Sequence, residues 1–149
     1  VPSDLAGDRS MAAQNSTCAL LADRHTVLAE RVRDLLEADF QTVYVVGDAS
    51  SLQEGAQRLT PALIVLDLAL AGRDYQRLLQ EIHDTSPGSR VIVLTVHDDA
   101  TVARLALASG AQSVVLKRSL GSDFLGAVSA VLRGEQFVSA GFELAAPTR

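Results

Sequence analysis

Short apolar runs alternate along this chain with segments whose apolar residues recur every three or four positions. The runs cover residues 18–22, 43–46, 62–66, 91–94 and 113–116, and most are rich in β-branched residues. Runs this short, apolar throughout, predict strands buried on both faces. Between them, Leu28, Val32, Leu35 and Leu36 mark one helical stripe, and Leu52, Gly55, Ala56 and Leu59 a second. Tyr75, Leu78, Leu79 and Ile82 make a third, and Val102, Leu105, Ala106 and Ser109 a fourth built of small residues. Phe124, Leu125, Val128, Val131 and Leu132 make the last. Each stripe predicts one buried face of an amphipathic helix. Gly110 and Gly134 stand where helices should end, and Asp98 and Ser119 near helix starts.

Five strands alternating with five helices predict an α/β fold with a five-stranded parallel sheet, doubly wound by right-handed crossovers. Residues 1–15, rich in Ser, Gly, Asp and Ala without apolar periodicity, read as a disordered leader or an expression remnant. The domain is expected over 16–138, and 139–149 as the start of a linker.

Composition narrows the function classes. At 149 residues one domain is expected. The net charge of -5 argues against nucleic-acid binding through bulk charge, which needs clustered Lys and Arg. A single cysteine, Cys18, excludes an internal disulfide framework and reads as a buried, inert side chain. No apolar stretch approaches the roughly 18 residues of a membrane span. The first ten residues lack a signal-peptide core, so a cytoplasmic location is expected by default.

The chemistry-bearing residues stand at strand ends. Asp67 closes the run 62–66, Asp23 and Arg24 follow the first run, Thr95 the fourth and Lys117 the fifth. In an open parallel sheet these carboxyl ends form the rim where ligands bind. The stretches LLADRH (20–25), LIVLDL (63–68), LTVHDD (94–99) and GAQSVVLK (110–117) occur in order. Together they resemble the receiver domain of two-component response regulators, with a flavodoxin- or CheY-like (βα)5 fold. LTVHDD, SGAQSVVLK and VLRGEQFVS are most similar to the LuxR/NarL-type subfamily, whose members carry a C-terminal helix-turn-helix DNA-binding domain.

The resemblance implies that Asp67 accepts a phosphoryl group from a sensor histidine kinase. It also implies that Lys117 pairs with the phosphoryl oxygens and that the Thr95 hydroxyl moves to bond them. Phosphoryl transfer needs an in-line nucleophile and positive charge on the equatorial oxygens, and these residue types supply both. In the family, Mg²⁺ sits on two adjacent acids after the first strand, on the acceptor Asp and on a carbonyl two residues further. Here those positions hold Asp23, Arg24, Asp67 and Ala69. Homodimerisation through the fourth helix, fifth strand and fifth helix is implied, with Arg104 and Gln112 as weak candidates on that face.

The chain departs from the family at Arg24, which replaces the acid that binds metal most directly. A cation beside a guanidinium meets repulsion; a unit pair at 4 Å is worth about 4 kcal/mol at an effective dielectric near 20. Two arrangements stay open: Arg24 fills the metal site and pairs with Asp67 or Asp23, making the pocket neutral, or it turns to solvent and Asp23 alone recruits Mg²⁺. Residues 71–75 replace a Pro-Gly-x-Asp-Gly loop, Val114 stands where many receivers carry a rotating Tyr or Phe, and Arg118 replaces a Pro, so a trans bond is expected there. His25, His83 and His97 show no ligand spacing; His83 reads as a residue of a solvated helix face, and His25 and His97 read as loop residues that border the rim, where either could modulate it.

The expectation is therefore a non-enzymatic receiver with a weakened Mg²⁺ site. The alternative is a phosphorylation-independent pseudo-receiver serving protein–protein contacts. A flavodoxin-like cofactor enzyme shares the fold but is disfavoured, because no phosphate-cradling loop follows the first strand.

Overall fold

The computed structural model describes residues 17–142. The strands are β1 (Cys18–Ala22), β2 (Thr42–Val46), β3 (Leu63–Asp67), β4 (Arg90–Thr95), β5 (Ser113–Leu116) and β6 (Phe137–Val138). The long helices are α1 (Thr26–Leu36), α2 (Ala49–Leu59), α3 (Tyr75–Thr85), α4 (Ala100–Ala108) and α5 (Leu120–Leu132). One parallel sheet results, in the order β2-β1-β3-β4-β5-β6.

Alternation along the strands sorts the core into two layers. Leu20, Ile64, Leu66, Val93, Val114 and Leu116 face α2, α3 and α4, where Leu52, Leu79 and Ala106 meet them. Leu21, Val65, Ile92, Leu94 and Val115 face α1 and α5, against Val32, Phe124 and Val128. Burying each large aliphatic side chain contributes roughly 1.5–3 kcal/mol. Every residue of β1, β3 and β5 is buried. β2 differs from expectation: as an edge strand it leaves Tyr44 and Val45 about two-fifths exposed. Leu125 and Leu132 also fall outside the buried stripe of α5, which runs through Phe124, Ala127, Val128 and Val131.

The helix ends behave largely as read. Gly110 and Gly134 follow α4 and α5 with positive φ of 122° and 84°, which a side chain would strain. Asp99, rather than Asp98, caps α4 by accepting from the Thr101 N–H at 2.8 Å.

A sixth strand is the main departure from the expected architecture. After α5 the chain returns to the open edge of β5, pairing Phe137 with Ser113 and Val138 with Val114. Packing continues past residue 138. The Ser139 N–H bonds the Val114 carbonyl at 3.0 Å. The Ser139 hydroxyl accepts from the Leu116 N–H at 3.1 Å and donates to Asp123 at 2.7 Å. Phe142 then buries among the residues on the α4 side of the sheet, with Ala103 and Ala106. Gly141 allows this crossing, because a Cβ there would come within 2.8 Å of the Leu116 side chain. The expected leader, 1–15, and the last seven residues lie outside the described part. No helix among the described residues is long and apolar enough to cross a membrane.

Candidate functional site

Strand register brings the rim residues together. Ala22 lies opposite Leu66, Asp67 opposite Leu94, and Thr95 opposite Leu116. Asp23, Asp67, Thr95 and Lys117 therefore emerge side by side at the carboxyl edge. All but Lys117 are almost wholly buried. Asp67, Thr95 and Lys117 line a cavity of about 600 Å³, whose walls also include Tyr75, Val96, His97 and Val102.

Asp67 is the centre of the cluster. Its Oδ2 lies 2.8 Å from Lys117 Nζ, and its Oδ1 accepts from the Ala69 N–H at 3.1 Å. Burial pushes its carboxyl upward, but the Lys117 ammonium and the Ala69 N–H outweigh that and hold it below the usual carboxylate range. Asp23 behaves oppositely. Burial, and then the neighbouring Asp67 charge, raise it, although the His25 N–H donates to its Oδ1 at 2.8 Å. Its Oδ2 is buried with no partner among the described residues. Thr95 Oγ1 faces the same cavity and accepts from the His97 N–H at 3.0 Å.

Arg24 does not enter this cluster. Its side chain is exposed in a shallow groove that Asp23, Glu30, Arg33 and Val45 also line, and it forms no ion pair with Asp23 or Asp67. A guanidinium keeps its hydration there, whereas the buried pocket would strip it. Of the two arrangements left open by the sequence, the exposed Arg24 side chain matches the one in which it turns to solvent. Two carboxylates face one ammonium, leaving -1. The side chain that does reach the carboxylates is His25, with Nδ1 at 3.3 Å from both Asp23 Oδ1 and Asp67 Oδ2.

Residues 19–129 match the response regulator receiver domain family. The chain belongs to that family. It is 31% identical over 132 residues to the nitrate/nitrite response regulator protein NarL of Escherichia coli, covering 87% of this chain and 61% of NarL. A crystal structure of a LuxR-family two-component response regulator from Aurantimonas sp. superposes with a TM-score of 0.76 at 25% identity, covering 85% of this chain and 92% of that one. A structure of two RcsB dimers bound to two parallel DNAs gives 0.71 at 25% identity, covering 86% of this chain and 66% of that one. This chain spans about three-fifths of the length of curated relatives such as NarL. It is a receiver domain of the LuxR/NarL type. The sixth strand adds to the expected fold without changing it.

The receiver's departures take physical form. Residues 68–71 make a short helical turn capped by Asp67, and Gly72 leaves it with φ 64°. The described residues contain no cis peptide, so the bond after Lys117 is trans. Val114 presents no ring, and the aromatic side chain buried on that face of the sheet is Phe142 of the tail. Gln112 does not stand free on the fifth-strand face; its Oε1 accepts from the Val91 N–H at 2.6 Å and holds the start of β4.

The acidic pocket suits a divalent cation on one direct observation, two buried carboxylates, Asp23 and Asp67, held close together with His25. Asp23 and Asp67 are the residues whose carboxylates would hold Mg²⁺. Bound there, the ion would neutralise charge on a phosphoryl group. Of the two histidines that border the rim in the sequence, the one whose ring reaches the carboxylates is His25. Its place two residues after Asp23 put it at the rim, but left open whether its ring turns to the acids or to solvent.

Proposed function

We propose that Asp67 is the phospho-acceptor of this receiver and that phosphorylation from a sensor histidine kinase is its input. The supporting observation is the 2.8 Å contact between Lys117 Nζ and Asp67 Oδ2, with the Thr95 hydroxyl on the same cavity. A carboxylate oxygen of Asp67 attacks the phosphorus of a phosphohistidine. The P–N bond breaks, an acyl phosphate forms, and the histidine leaves. Lys117 keeps Asp67 ionised, and therefore nucleophilic, before transfer. Afterwards it pairs with a phosphoryl oxygen. Thr95 exchanges its bond from the His97 N–H for one that it donates to the phosphoryl group, which moves the β4–α4 loop. Mg²⁺ held by Asp23, Asp67 and the Ala69 carbonyl would assist, weakly for want of the acid that Arg24 replaces.

The output is regulation of transcription in the cytoplasm, through a DNA-binding helix-turn-helix domain beyond this chain. Self-association through α4, β5 and α5 carries the signal, with exposed Arg104 on that face. β6 and Phe142 lie against part of the same face, so a homodimer must include them. The similarity to NarL and to the DNA-bound RcsB dimers supports this reading. Incubation with acetyl phosphate, with and without Mg²⁺, followed by intact mass, tests it. One added phosphoryl group, lost in Asp67→Asn, is expected. No adduct under either condition overturns it and leaves the pseudo-receiver.

A further inference from the structure

Most of the cavity that Asp67, Thr95 and Lys117 line is walled by apolar groups that phosphoryl chemistry does not use. Leu68, Ala69, Gly72 and Tyr75 come from the segment after β3, and Val96 and Val102 from the loop before α4 and its first turn. The turn at 68–71 ends on Gly72 with φ 64°, and small side chains from both segments leave the space between them unfilled. Its volume of about 600 Å³ lies inside the range of about 300–1,000 Å³ that small-molecule pockets span. Val96 is 64% exposed, an apolar side chain left in water on this wall. Of the Lys, Arg and Asp residues on the walls, Arg73 alone has no ion partner among the described residues, whereas Lys117 and Asp67 neutralise each other at 2.8 Å. Apolar walls with a few placed polar groups and one unpaired charge are the chemistry of a ligand site.

We propose that this cavity binds a planar aromatic acid, its rings held between the 68–75 segment and Val96 and Val102, and its anionic group paired with Arg73. A rigid ring system buries the most apolar area for the least lost conformational freedom, and Tyr75 adds an aromatic ring to the contact. Charge decides where the acidic group goes. Asp67 repels it from the inner end. Burial, and then the Asp99 charge, push the Tyr75 hydroxyl up, so a second carboxylate stands near the α4 end, where it caps the helix. The exposed guanidinium of Arg73 is left as the anchor, and its fork matches a carboxylate or sulfonate in a bidentate pair. A molecule held this way touches both the segment after Asp67 and the loop that Thr95 begins. It gives the receiver an input of its own, separate from phosphoryl transfer.

Binding needs only the cavity and Arg73, not Asp67 as an acceptor, and it is read by fluorescence whereas transfer is read by mass, so either fails without the other. The experiment titrates the full chain with anilinonaphthalene sulfonate, an aromatic acid that fluoresces in apolar surroundings. Phenylnaphthylamine, the same rings without the sulfonate, is the neutral control. Saturable binding of one sulfonate per chain is expected while the circular dichroism spectrum stays native, with slowed hydrogen exchange at residues 96–102. Arg73→Gln should weaken the sulfonate at least about fivefold and the neutral probe less than about twofold, as follows from removing a charge-assisted pair. Val102→Trp fills the cavity and should abolish binding of both probes. Val96→Asp, at an exposed position that leaves the core untouched, should weaken the sulfonate as well, and it decides the matter if the Trp variant unfolds. Unchanged sulfonate affinity in Arg73→Gln or Val96→Asp overturns the proposal. So does a neutral probe bound as tightly as the sulfonate, or fluorescence that does not saturate at one probe per chain.

Discussion

Replacing Asp23 by Asn should stabilise this domain when no metal is present. The side chain is fully buried and lies with Asp67 inside a cluster whose ligand atoms are no more than 4.8 Å apart. Two unit negative charges at that separation repel by about 3.5 kcal/mol at an effective dielectric near 20. Lys117 offsets part of this, and burial with the Asp67 charge raises the Asp23 carboxyl. Asn keeps the acceptor for the His25 N–H and removes the charge. A net gain of about 1–3 kcal/mol follows, or roughly 3–10 °C in Tm for a domain of this size. Thermal and guanidinium unfolding in chelator at neutral pH would measure it. The pH dependence has a definite sign. A carboxyl raised in the folded state costs most above its folded pKa. The cost shrinks as pH falls through that value and vanishes below the ordinary range near 4. The advantage of Asp23→Asn should therefore fade in acid, and saturating divalent metal should narrow it as well. A variant no more stable than the parent at neutral pH, or an advantage unchanged at pH 4, would refute the reasoning.

Two further predictions follow from the same geometry and from the tail. Lys117→Met leaves two buried carboxylates without an ammonium and should cost about 2–4 kcal/mol at neutral pH in urea. Asp67 is held low in the fold, so its stabilisation is present above the ordinary carboxylate pKa and is lost as pH falls through the folded value. The Lys117→Met deficit should shrink on acidification, and a constant deficit would count against the pairing. Ser139→Ala deletes the acceptor of the buried Leu116 N–H and the donor to Asp123. It should cost about 1–3 kcal/mol and speed hydrogen exchange at Leu116, with unchanged exchange as the contrary result.

The layers of the fold were legible because buried parallel strands write themselves as unbroken apolar runs. The runs ending at Ala22, Leu66 and Leu116 also fixed the rim. Knowing that strands end on Asp23, Asp67, Thr95 and Lys117 was enough to place them together, because parallel register leaves those ends level. β6 was not legible, since Phe137–Val138 is too short for any period to show. Burial of Phe142 depends on Gly141 lying against Leu116, a tertiary contact without local signature. The direction of Arg24 was undecided for a similar reason. Charge counting says what a pocket lacks, whereas solvation decides which neighbour answers. His25 answered because its own N–H caps Asp23 and anchors the ring beside both acids.

Where the chain leaves the domain has its own consequence. Arg118 reaches Asp98 at 3.3 Å and the Gly141 carbonyl at 3.3 Å. Asp98 belongs to the loop that Thr95 begins, and Gly141 stands at the start of the exit path. A displacement of that loop therefore has a mechanical route to the departing polypeptide through a single guanidinium. One side chain thus ties the backbone at Gly141 to the loop that starts at Thr95.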